Sequence, residues 1–335
     1  MFRKIILLIA AASAGIYTLL YAFQTGAARN SKTFLIEEEL FLDGLPSDIR
    51  DLRIWVPYPA EEKWQSVKNI TSGGDFDIHS IKDSNYGNTF LYLVPKQSLK
   101  STAGPARVKF TFLIERRECS LDNEEPVGYG RLRRFLKPDK FVPVNSHIKA
   151  LAQDLTRGKE NELEKARLIY DYIIDELTYS NDDPNVCGIG NSLLTLKHKK
   201  GICTDYHSLF MSLVRSLGIP AKFEIGYRIP SELENGELRG YHCWVKIYIR
   251  GKGWIPVDVS EADKHPEKRD YYFGHIDENR VKFTTGRDIR LRYAKEKTAL
   301  NFFIYPLAEL NGERFSNIHT NLFFKSLEVK SEKIS

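Results

Sequence analysis

The sequence predicts an α+β protein in which strands come first, helices follow, and a second group of strands ends the chain. Short β-branched and aromatic runs alternate with turn residues between Lys32 and about Glu115. Apolar residues recur at every third or fourth position in two segments, 163–177 and 203–217, as on one face of a helix. From Lys222 onward, alternating apolar and polar residues surround a glycine-rich hairpin signal. These three observations define the predicted fold class.

Composition supports a globular protein. The chain has 335 residues, of which 42% are hydrophobic and 28% charged, which excludes a disordered tail, a coiled coil and a polytopic membrane protein. Its net charge of +5 is spread along the chain without a basic block, so we expect no nucleic-acid partner. The four cysteines are too few for a disulfide framework, and whether Cys119 and Cys187 pair or stay free is left open. This length favours two domains.

The N-terminus has the pattern of an export segment. Arg3 and Lys4 precede the uncharged run from residue 5 to 23, and a small-residue patch ends at Ala28. The run is long for a cleaved signal and short for a membrane span. Cleavage of residues 1–28 and retention as an inner-membrane anchor therefore both stay open. In either case we expect an exported protein of the periplasm or cell envelope.

The first predicted domain is β-sandwich-like and covers residues 32–125. Its β-rich runs are separated by clusters of Asp, Gly, Pro, Ser and Asn, as in sandwiches. The runs are 34–36, 40–42, 52–57, 90–94 and 108–114. No candidate catalytic residues are concentrated in this region.

The helical region follows Pro138. Asn161 is placed to cap a helix that reaches Leu177, and Asn191 is placed to cap a shorter one. A further apolar stripe from Cys203 to Leu217 predicts a fourth helix, since a short amphipathic helix over residues 148–155 is predicted before the one that Asn161 caps. Gly218 follows this helix where a C-terminal cap is expected.

The remaining elements are predicted strands. They cover residues 222–229, 241–250 and 254–260, followed by a closing pair at 301–306 and 320–324. Alternation along the hairpin places His242 and Asp258 on one polar face, within a residue or two of directly opposite each other. By the same alternation, Cys243 is expected to point to the apolar face, away from Cys203.

Three residues of these elements are the parts of a catalytic triad. Cys203 begins a helix, whose positive end favours a thiolate, although the residue also fits an inert core position. A His242–Asp258 hydrogen bond would orient the imidazole as a base, although an exposed ion pair is the simpler explanation of that pair alone. Together they match a nucleophile, a base and an orienting carboxylate.

The residues around this triad resemble the bacterial transglutaminase-like domain. The resemblance is carried by four segments: Gly201-Ile202-Cys203-Thr204-Asp205-Tyr206-His207, Leu217-Gly218-Ile219-Pro220, Tyr241-His242-Cys243-Trp244-Val245 and Gly253-Trp254-Ile255-Pro256-Val257-Asp258. It implies a papain-like transglutaminase core over residues 130–296, catalytic roles for Cys203, His242 and Asp258, and a C-terminal β extension over 297–335. The chain departs from the family at Cys243, where Ala is usual, and at Lys246, where an acidic residue is frequent.

The resemblance and the triad predict thiol-dependent acyl transfer on peptide or protein amides through a thioester, with hydrolysis favoured over cross-linking. We expect a peptide, protein or cell-wall peptide substrate and no cofactor or metal. Candidate residues of the substrate groove are Trp244, Tyr206 and His207, and candidate second donors to an oxyanion are Asn185, Asn191 and the Trp244 indole.

Two other interpretations stay open. One is a non-catalytic binding or scaffold module of the same fold, in which case the site should be sealed rather than open beside Cys203. The other is a zinc site formed by Cys203, His207 and His242, although the sequence has no C-x₂-C pair to support it.

Overall fold

The computed structural model describes residues 31–47, 49–96, 105–120 and 129–327. The predicted export segment lies outside these residues. The helices are α1 (Tyr129–Leu132), α2 (Ser146–Leu155), α3 (Glu162–Glu176), α4 (Ser192–His198), α5 (Cys203–Ser216) and α6 (Val259–Lys264), with 3₁₀ turns at Arg133–Leu136 and Pro266–Lys268. In the described ranges, no helix has the length and apolar character that a membrane crossing requires.

Six strands precede the helices, two short strands lie among them, and most of the others follow, which is the predicted order of strands, helices and strands. They are β1 (Ser31–Leu42), β2 (Leu52–Pro57), β3 (Gln65–Gly74), β4 (Phe76–Lys82), β5 (Thr89–Pro95), β6 (Ala106–Arg117), β7 (Thr178–Tyr179), β8 (Lys200–Gly201), β9 (Ala221–Arg228), β10 (Asn235–Glu237), β11 (His242–Ile249), β12 (Gly253–Val257), β13 (Arg280–Thr285), β14 (Leu307–Leu310), β15 (Glu313–Phe315) and β16 (Ile318–Leu327). The predicted α+β class is confirmed.

Two five-stranded sheets contain the N-terminal strands. Their strand orders are β10-β16-β1-β6-β3 and β15-β14-β2-β5-β4. Residues alternate between buried and partly exposed along most of β1, with Phe34, Ile36 and Leu40 facing the core. The C-terminal strands therefore complete both sheets, because β16 pairs with β1 and β14 pairs with β2. The domain boundaries proposed above stay predictions.

Some observed strands are absent from the sequence prediction, and some predicted strands have other bounds in the structure. Strands β3 and β4 were not predicted, because their Ser, Lys, Asn, Asp and His residues break the apolar pattern that marks a strand. Residues 301–306 form no strand, and β14 begins at Leu307. The strand expected to reach Ser260 ends at Val257, where α6 takes over.

The helical region packs on a four-stranded antiparallel sheet in the order β12-β11-β9-β13. Every residue of α5 is buried, which makes it the central helix of this region. The predicted caps are confirmed, since Asn161 and Asn191 accept backbone N–H groups at the starts of α3 and α4. Gly218 follows α5 with a φ of 84°, a conformation that favours glycine.

Direct hydrogen bonds join this sheet to one of the two five-stranded sheets, which together are called the sandwich below. The buried Arg116 of β6 donates to the Arg280 carbonyl of β13 at 2.5 Å. The Gln65 amide accepts the Lys282 N–H at 2.8 Å and donates to the Lys282 carbonyl at 2.8 Å. Backbone hydrogen bonds at 2.8 Å also link Cys119 with Ile276. The sandwich is therefore attached to the sheet that carries the candidate site.

Candidate active site

The start of α5 is held in place by a buried carboxylate. Asp205 accepts the backbone N–H groups of Gly188, Gly190 and Ile202 at 2.6, 2.7 and 2.8 Å. These bonds fasten the preceding loop to the first turn of the helix. Burial raises the pKa of the Asp205 carboxyl, while the three amide hydrogen bonds oppose that rise. The position of Cys203, the first residue of α5, is thereby defined by its neighbours.

His242 and Asp258 form a buried pair. His242 begins β11, and its Nε2 lies 2.7 Å from Asp258 Oδ2. The two side chains are buried, so the explanation as an exposed cross-strand ion pair is wrong. The ladder pairs Val245 with Val257, which places Asp258 one residue beyond the end of β12.

Asp258 also caps the next helix. Its Oδ1 accepts the Glu261 N–H at 3.0 Å and the Ser260 hydroxyl at 3.1 Å. Because these bonds fix the carboxylate, its other oxygen is directed at His242. Burial opposes ionisation of Asp258, but the charge of His242 and the hydrogen bonds it receives hold the pKa of Asp258 well below its usual range.

Cys203 and His242 shift each other's pKa values in opposite directions. Because Nε2 of His242 bonds Asp258, Nδ1 is the ring nitrogen left to exchange a proton with Cys203. Burial lowers the pKa of His242, but Asp258 and Cys203 overcome this and raise it to about 9. A hydrogen bond from Cys243 lowers the pKa of Cys203 most, burial opposes the shift, and His242 lowers it further. The geometry therefore favours a thiolate beside an imidazolium.

Cys243 lies on the apolar face of β11, as predicted, but the expectation that it points away from the site is wrong. It packs in the same core cluster as Val245 and Ile247, whereas Trp244 packs in a separate cluster, so the residues alternate as in a regular strand. The apolar face packs on α5, and the Cys243 sulfur therefore lies 3.5 Å from Nδ1 of His207, one turn beyond Cys203. All four cysteines are free thiols, including Cys119 and Cys187.

His207 lies under the site rather than in a groove. Its Nε2 accepts the Val259 N–H at 3.0 Å, and its Nδ1 contacts Cys243. Both ring nitrogens are thus engaged by protein groups, which does not fit a zinc ligand. Within the described part of the chain, no group of three or more His, Cys, Asp or Glu side chains is arranged to hold a metal ion.

The other groove candidates are buried as well, so the expectation that they line an open groove is wrong. Trp244 donates its indole N–H to Glu224 at 2.9 Å, and Tyr206 donates its hydroxyl to Asp263 at 3.0 Å. The indole is therefore engaged and does not face an oxyanion. Lys246 is also buried, in the ion-pair group around Glu224, and does not reach a substrate.

The two asparagines among the candidate oxyanion donors lie in or beside the loop before α4. Asn191 accepts backbone N–H groups at the start of α4 with its side-chain oxygen, and Asn185 is exposed. Aromatic residues occupy the surroundings of Cys203 instead. Burial raises the pKa of the Tyr179, Tyr241 and Tyr305 phenols, and the negative charge of Cys203 adds to each rise.

The site itself is nearly closed to solvent. Cys203 is 2% exposed and His242 is 6% exposed. Of the tyrosines whose phenols interact with Cys203, Tyr179 and Tyr305 are exposed to solvent, at 37% and 44%. Two surface cavities, lined by the Arg157–Lys159 region and by the Tyr86–Arg134 region, do not border Cys203.

Two arginines that the sequence reasoning missed support the site. Arg280 Nη2 lies 3.6 Å from Asp258 Oδ2 and donates to Glu261 at 3.0 Å. Arg287 donates to the Ser208 hydroxyl of α5 at 2.6 Å and to the Gly190 carbonyl at 3.0 Å. No local sequence pattern predicts the long-range partners of either arginine.

Comparison with known proteins identifies the central region. Residues 149–259 match the model of the transglutaminase-like superfamily. An uncharacterised protein of Haemophilus influenzae is 28% identical over 318 residues, which cover 81% of this chain and 84% of that protein. The protein YebA of Bacillus subtilis is 25% identical over 146 residues, which cover 40% of this chain and 20% of YebA.

A solved structure has the same fold over most of the chain. A candidate cysteine protease from Cytophaga hutchinsonii superposes with a TM-score of 0.57 at 19% identity, covering 89% of this chain and 92% of that one. At the level of the superfamily, the domain match supports a cysteine-dependent enzyme. The predicted fold of the core, an α+β fold of transglutaminase-like type, is confirmed by these two matches.

Proposed function

We propose that the chain is a thiol-dependent hydrolase of peptide or protein amides, with Cys203 as nucleophile, His242 as acid and base, and Asp258 as the residue that orients His242. The observation that carries this proposal is the buried 2.7 Å His242–Asp258 hydrogen bond, together with the lowering of the Cys203 pKa by the neighbouring His242. A carboxylate, an imidazole and a thiol in this order are the parts of a nucleophilic triad.

The proposed reaction begins with proton transfer from Cys203 to Nδ1 of His242. The Cys203 thiolate then attacks the amide carbonyl carbon, and the carbonyl π electrons move to oxygen. When this tetrahedral intermediate collapses, the C–N bond breaks and His242 protonates the departing amine. Water, deprotonated by His242, attacks the resulting thioester, which releases the acid and the free thiol.

Hydrolysis is preferred over cross-linking because the proposed location outside the cytoplasm offers water as the abundant acyl acceptor. An amine in place of water would form a new amide at the same thioester. The substrate is proposed to be a peptide, a protein or a cell-wall peptide. The acyl acceptor therefore distinguishes the two reactions.

The experiment uses the full chain with fluorescently labelled casein as the amide substrate and dansylcadaverine as the competing amine. We expect casein fragments and little dansyl incorporation, and Cys203→Ala should abolish both. Dansyl incorporation without fragments would replace hydrolysis by cross-linking. Activity that survives in Cys203→Ala would refute the proposed nucleophile.

A non-catalytic scaffold is the second candidate, because Cys203 is only 2% exposed. This candidate predicts that a small electrophile such as iodoacetamide leaves Cys203 unmodified in the folded chain. Rapid modification of Cys203, together with hydrolysis of casein, would exclude it. An unmodified thiol, with no turnover of casein, of cell-wall peptides or of a random peptide library, would favour it.

We also propose that the folded part works outside the cytoplasm, as the basic and apolar N-terminal segment indicates. Cell fractionation of the tagged full chain tests this, and N-terminal sequencing distinguishes cleavage near Ala28 from a retained anchor. Recovery in the cytoplasmic fraction alone would contradict export.

A further inference from the structure

A second cation shares the carboxylate of the triad with His242. Nη2 of Arg280 lies 3.6 Å from Asp258 Oδ2, the oxygen atom that also lies 2.7 Å from Nε2 of His242. Arg280 is 1% exposed, and the mechanism above does not use it. Asp258 is therefore paired with two cations whenever His242 is protonated.

Glu261, three residues after Asp258, is a second carboxylate at this arginine. Nη2 of Arg280 donates to Glu261 Oε2 at 3.0 Å, and Glu261 is 1% exposed. Burial and the charge of Asp258 raise the pKa of Glu261, but the neighbouring cations, Arg280 among them, hold it below its usual value. Two buried carboxylates thus lie close together, and Arg280 contacts both.

The Arg280 guanidinium is fixed by further contacts. Its Nη1 donates to both carboxylate oxygens of Asp277 at 3.3 Å. Its backbone carbonyl accepts Nε of Arg116 at 2.5 Å, a contact that does not depend on the Arg280 side chain. Burial lowers the pKa of Arg280, but the three carboxylates that face it raise it above its usual value. Arg280 is therefore a fixed positive charge beside the triad.

We propose that Arg280 is a positioning residue that limits the basicity of His242, because it shares the Asp258 oxygen to which the imidazole is bonded. A cation beside a carboxylate weakens the attraction of that carboxylate for a second cation. His242 must accept the Cys203 proton and then give it to the departing amine, and an imidazolium that holds its proton too strongly is a poor acid. The inference rests on the proposed function, because it assigns Arg280 to this second step.

Other titratable groups also interact with the His242–Asp258 pair or with the Arg280–Glu261 pair. They are Tyr170 of α3, Tyr179 of β7, Cys203 and His207 of α5, Lys264 of α6, Tyr272 and Asp277 of the segment before β13, Arg228 of β9 and Cys243 of β11. The test therefore compares several variants at the Arg280–Glu261 pair with a matched control.

The experiment measures the pKa of His242 by NMR of isotope-labelled histidine in the full chain carrying Cys203→Ala, so that no thiolate contributes. His242→Gln in the same background assigns the resonance. In Arg280→Met we expect the pKa of His242 to rise by about one unit, which is within the range that a charged neighbour produces. Arg280→Lys keeps the charge and should recover at least half of that shift.

Two further variants make the result specific. Arg228→Met is the matched control: its Nε lies 3.3 Å from Glu261 Oε2, but the Arg228 side chain is 40% exposed, so solvent and salt screen its charge. It should leave the pKa of His242 nearly unchanged. Glu261→Gln removes the carboxylate that competes with Asp258 for Arg280, and it should lower the pKa of His242. This opposite shift tests the proposal even if Arg280→Met does not fold.

An arginine with a purely structural role would leave the pKa of His242 where it is. An unchanged or lowered value in Arg280→Met, an equal rise in Arg228→Met, or an unchanged or raised value in Glu261→Gln would overturn the proposal. A value in Arg280→Lys as high as that in Arg280→Met would overturn it as well. Circular dichroism verifies the fold of each variant.

The result is distinguishable from the fate of the proposed function, because the titration of His242 requires no amide turnover. The expected shifts in a chain without hydrolase activity would reject the function and retain the effect of Arg280 on His242. Casein hydrolysis in a chain whose His242 pKa is indifferent to Arg280 would do the reverse. If both hold, Arg280→Met with Cys203 restored should lower kcat for casein and leave KM similar, since the proton donated to the departing amine is held more strongly.

Discussion

At the scale of single residues, the site combines charges that burial alone would neutralise. Asp258 is fully buried, yet His242, Ser260 and the Glu261 amide all bond to its carboxylate. Such bonds offset the cost of removing a charge from water. The same carboxylate supports the imidazolium that the thiolate needs, so each member of the triad depends on its neighbour.

Asp258→Asn should separate catalysis from folding. Asn still caps α6, because its side-chain oxygen accepts N–H groups at a helix start as Asp does. It does not stabilise the His242 imidazolium, so we expect kcat for casein hydrolysis to fall on the order of 10³-fold. Far-ultraviolet circular dichroism should remain unchanged. The matched control is Asp270→Asn, an exposed carboxyl, which should retain full activity. Equal kcat values for the two variants would contradict the role of Asp258.

The pH dependence of kcat/KM follows from the lowered pKa of Cys203 and the raised pKa of His242. Activity should rise as Cys203 ionises at a pH below the ordinary range of a thiol. It should fall above a pH of about 9, where His242 loses the proton that the departing amine requires. Imidazole resonances of His242 followed by NMR check the upper limb independently. A single rise near the ordinary pKa of cysteine, with no upper limb, would contradict the ion pair.

At the scale of elements, α5 and the loop before it form one unit. Asp205 ties the loop to the helix, and Arg287 joins Ser208 of α5 to Gly190 of the loop. Gly201 lies under this carboxylate, where a Cβ would come within 2.4 Å of the Asp205 Cβ. The nucleophile is therefore positioned by groups far from it in sequence as well as by its own helix.

Gly201→Ala should displace the start of α5. The added methyl group cannot fit beside Asp205, so the carboxylate must move away from at least one of its three amide donors. We expect a loss of about 2–4 kcal/mol in the free energy of unfolding and a much slower alkylation of Cys203. The matched control is Gly73→Ala, where no atom lies within 4 Å of the new Cβ. Denaturant unfolding measures both, and similar stabilities would refute this account of Gly201.

At the scale of the whole molecule, the first and the last of the described strands, β1 and β16, pair in one sheet. Strand β16 lies between β10 and β1. Strand β10 itself belongs to the segment that connects β9 and β11 of the four-stranded sheet. Arg116 and Gln65 add hydrogen bonds from the sandwich to β13. We infer that sandwich and core unfold together.

Phe324→Ala in β16 tests this coupling. Phe324 is 3% exposed and packs in the core, so its truncation should cost about 3–5 kcal/mol. Its neighbour Phe323 is 43% exposed, and Phe323→Ala should change stability by less than about 0.5 kcal/mol. Tryptophan fluorescence and Cys203 alkylation should then lose their native signals at the same denaturant concentration. Two separate midpoints would show that the sandwich and the core are independent.

Much of the fold could be predicted from local pattern. Periodicity and capping residues located α3, α4 and α5, because helix caps and apolar stripes involve residues close in sequence. The polar strands β3 and β4 were missed, because their pairing with β6 and β5 rather than their own pattern stabilises them. The same limit applied to the C-terminal strands, whose partners β1 and β2 are more than two hundred residues away.

The sequence by itself determined the α+β class, the central helix and the residue types of the triad, since these depend on spacing along the chain. Only the tertiary structure decided that Cys243 contacts His207, that Trp244, Tyr206 and His207 are buried, and that Asp258 caps a helix beyond its strand. The physical reason is that local propensity acts over a few residues, whereas burial and hydrogen-bond direction depend on which elements pack together. At this site, those contacts determine which groups carry charge.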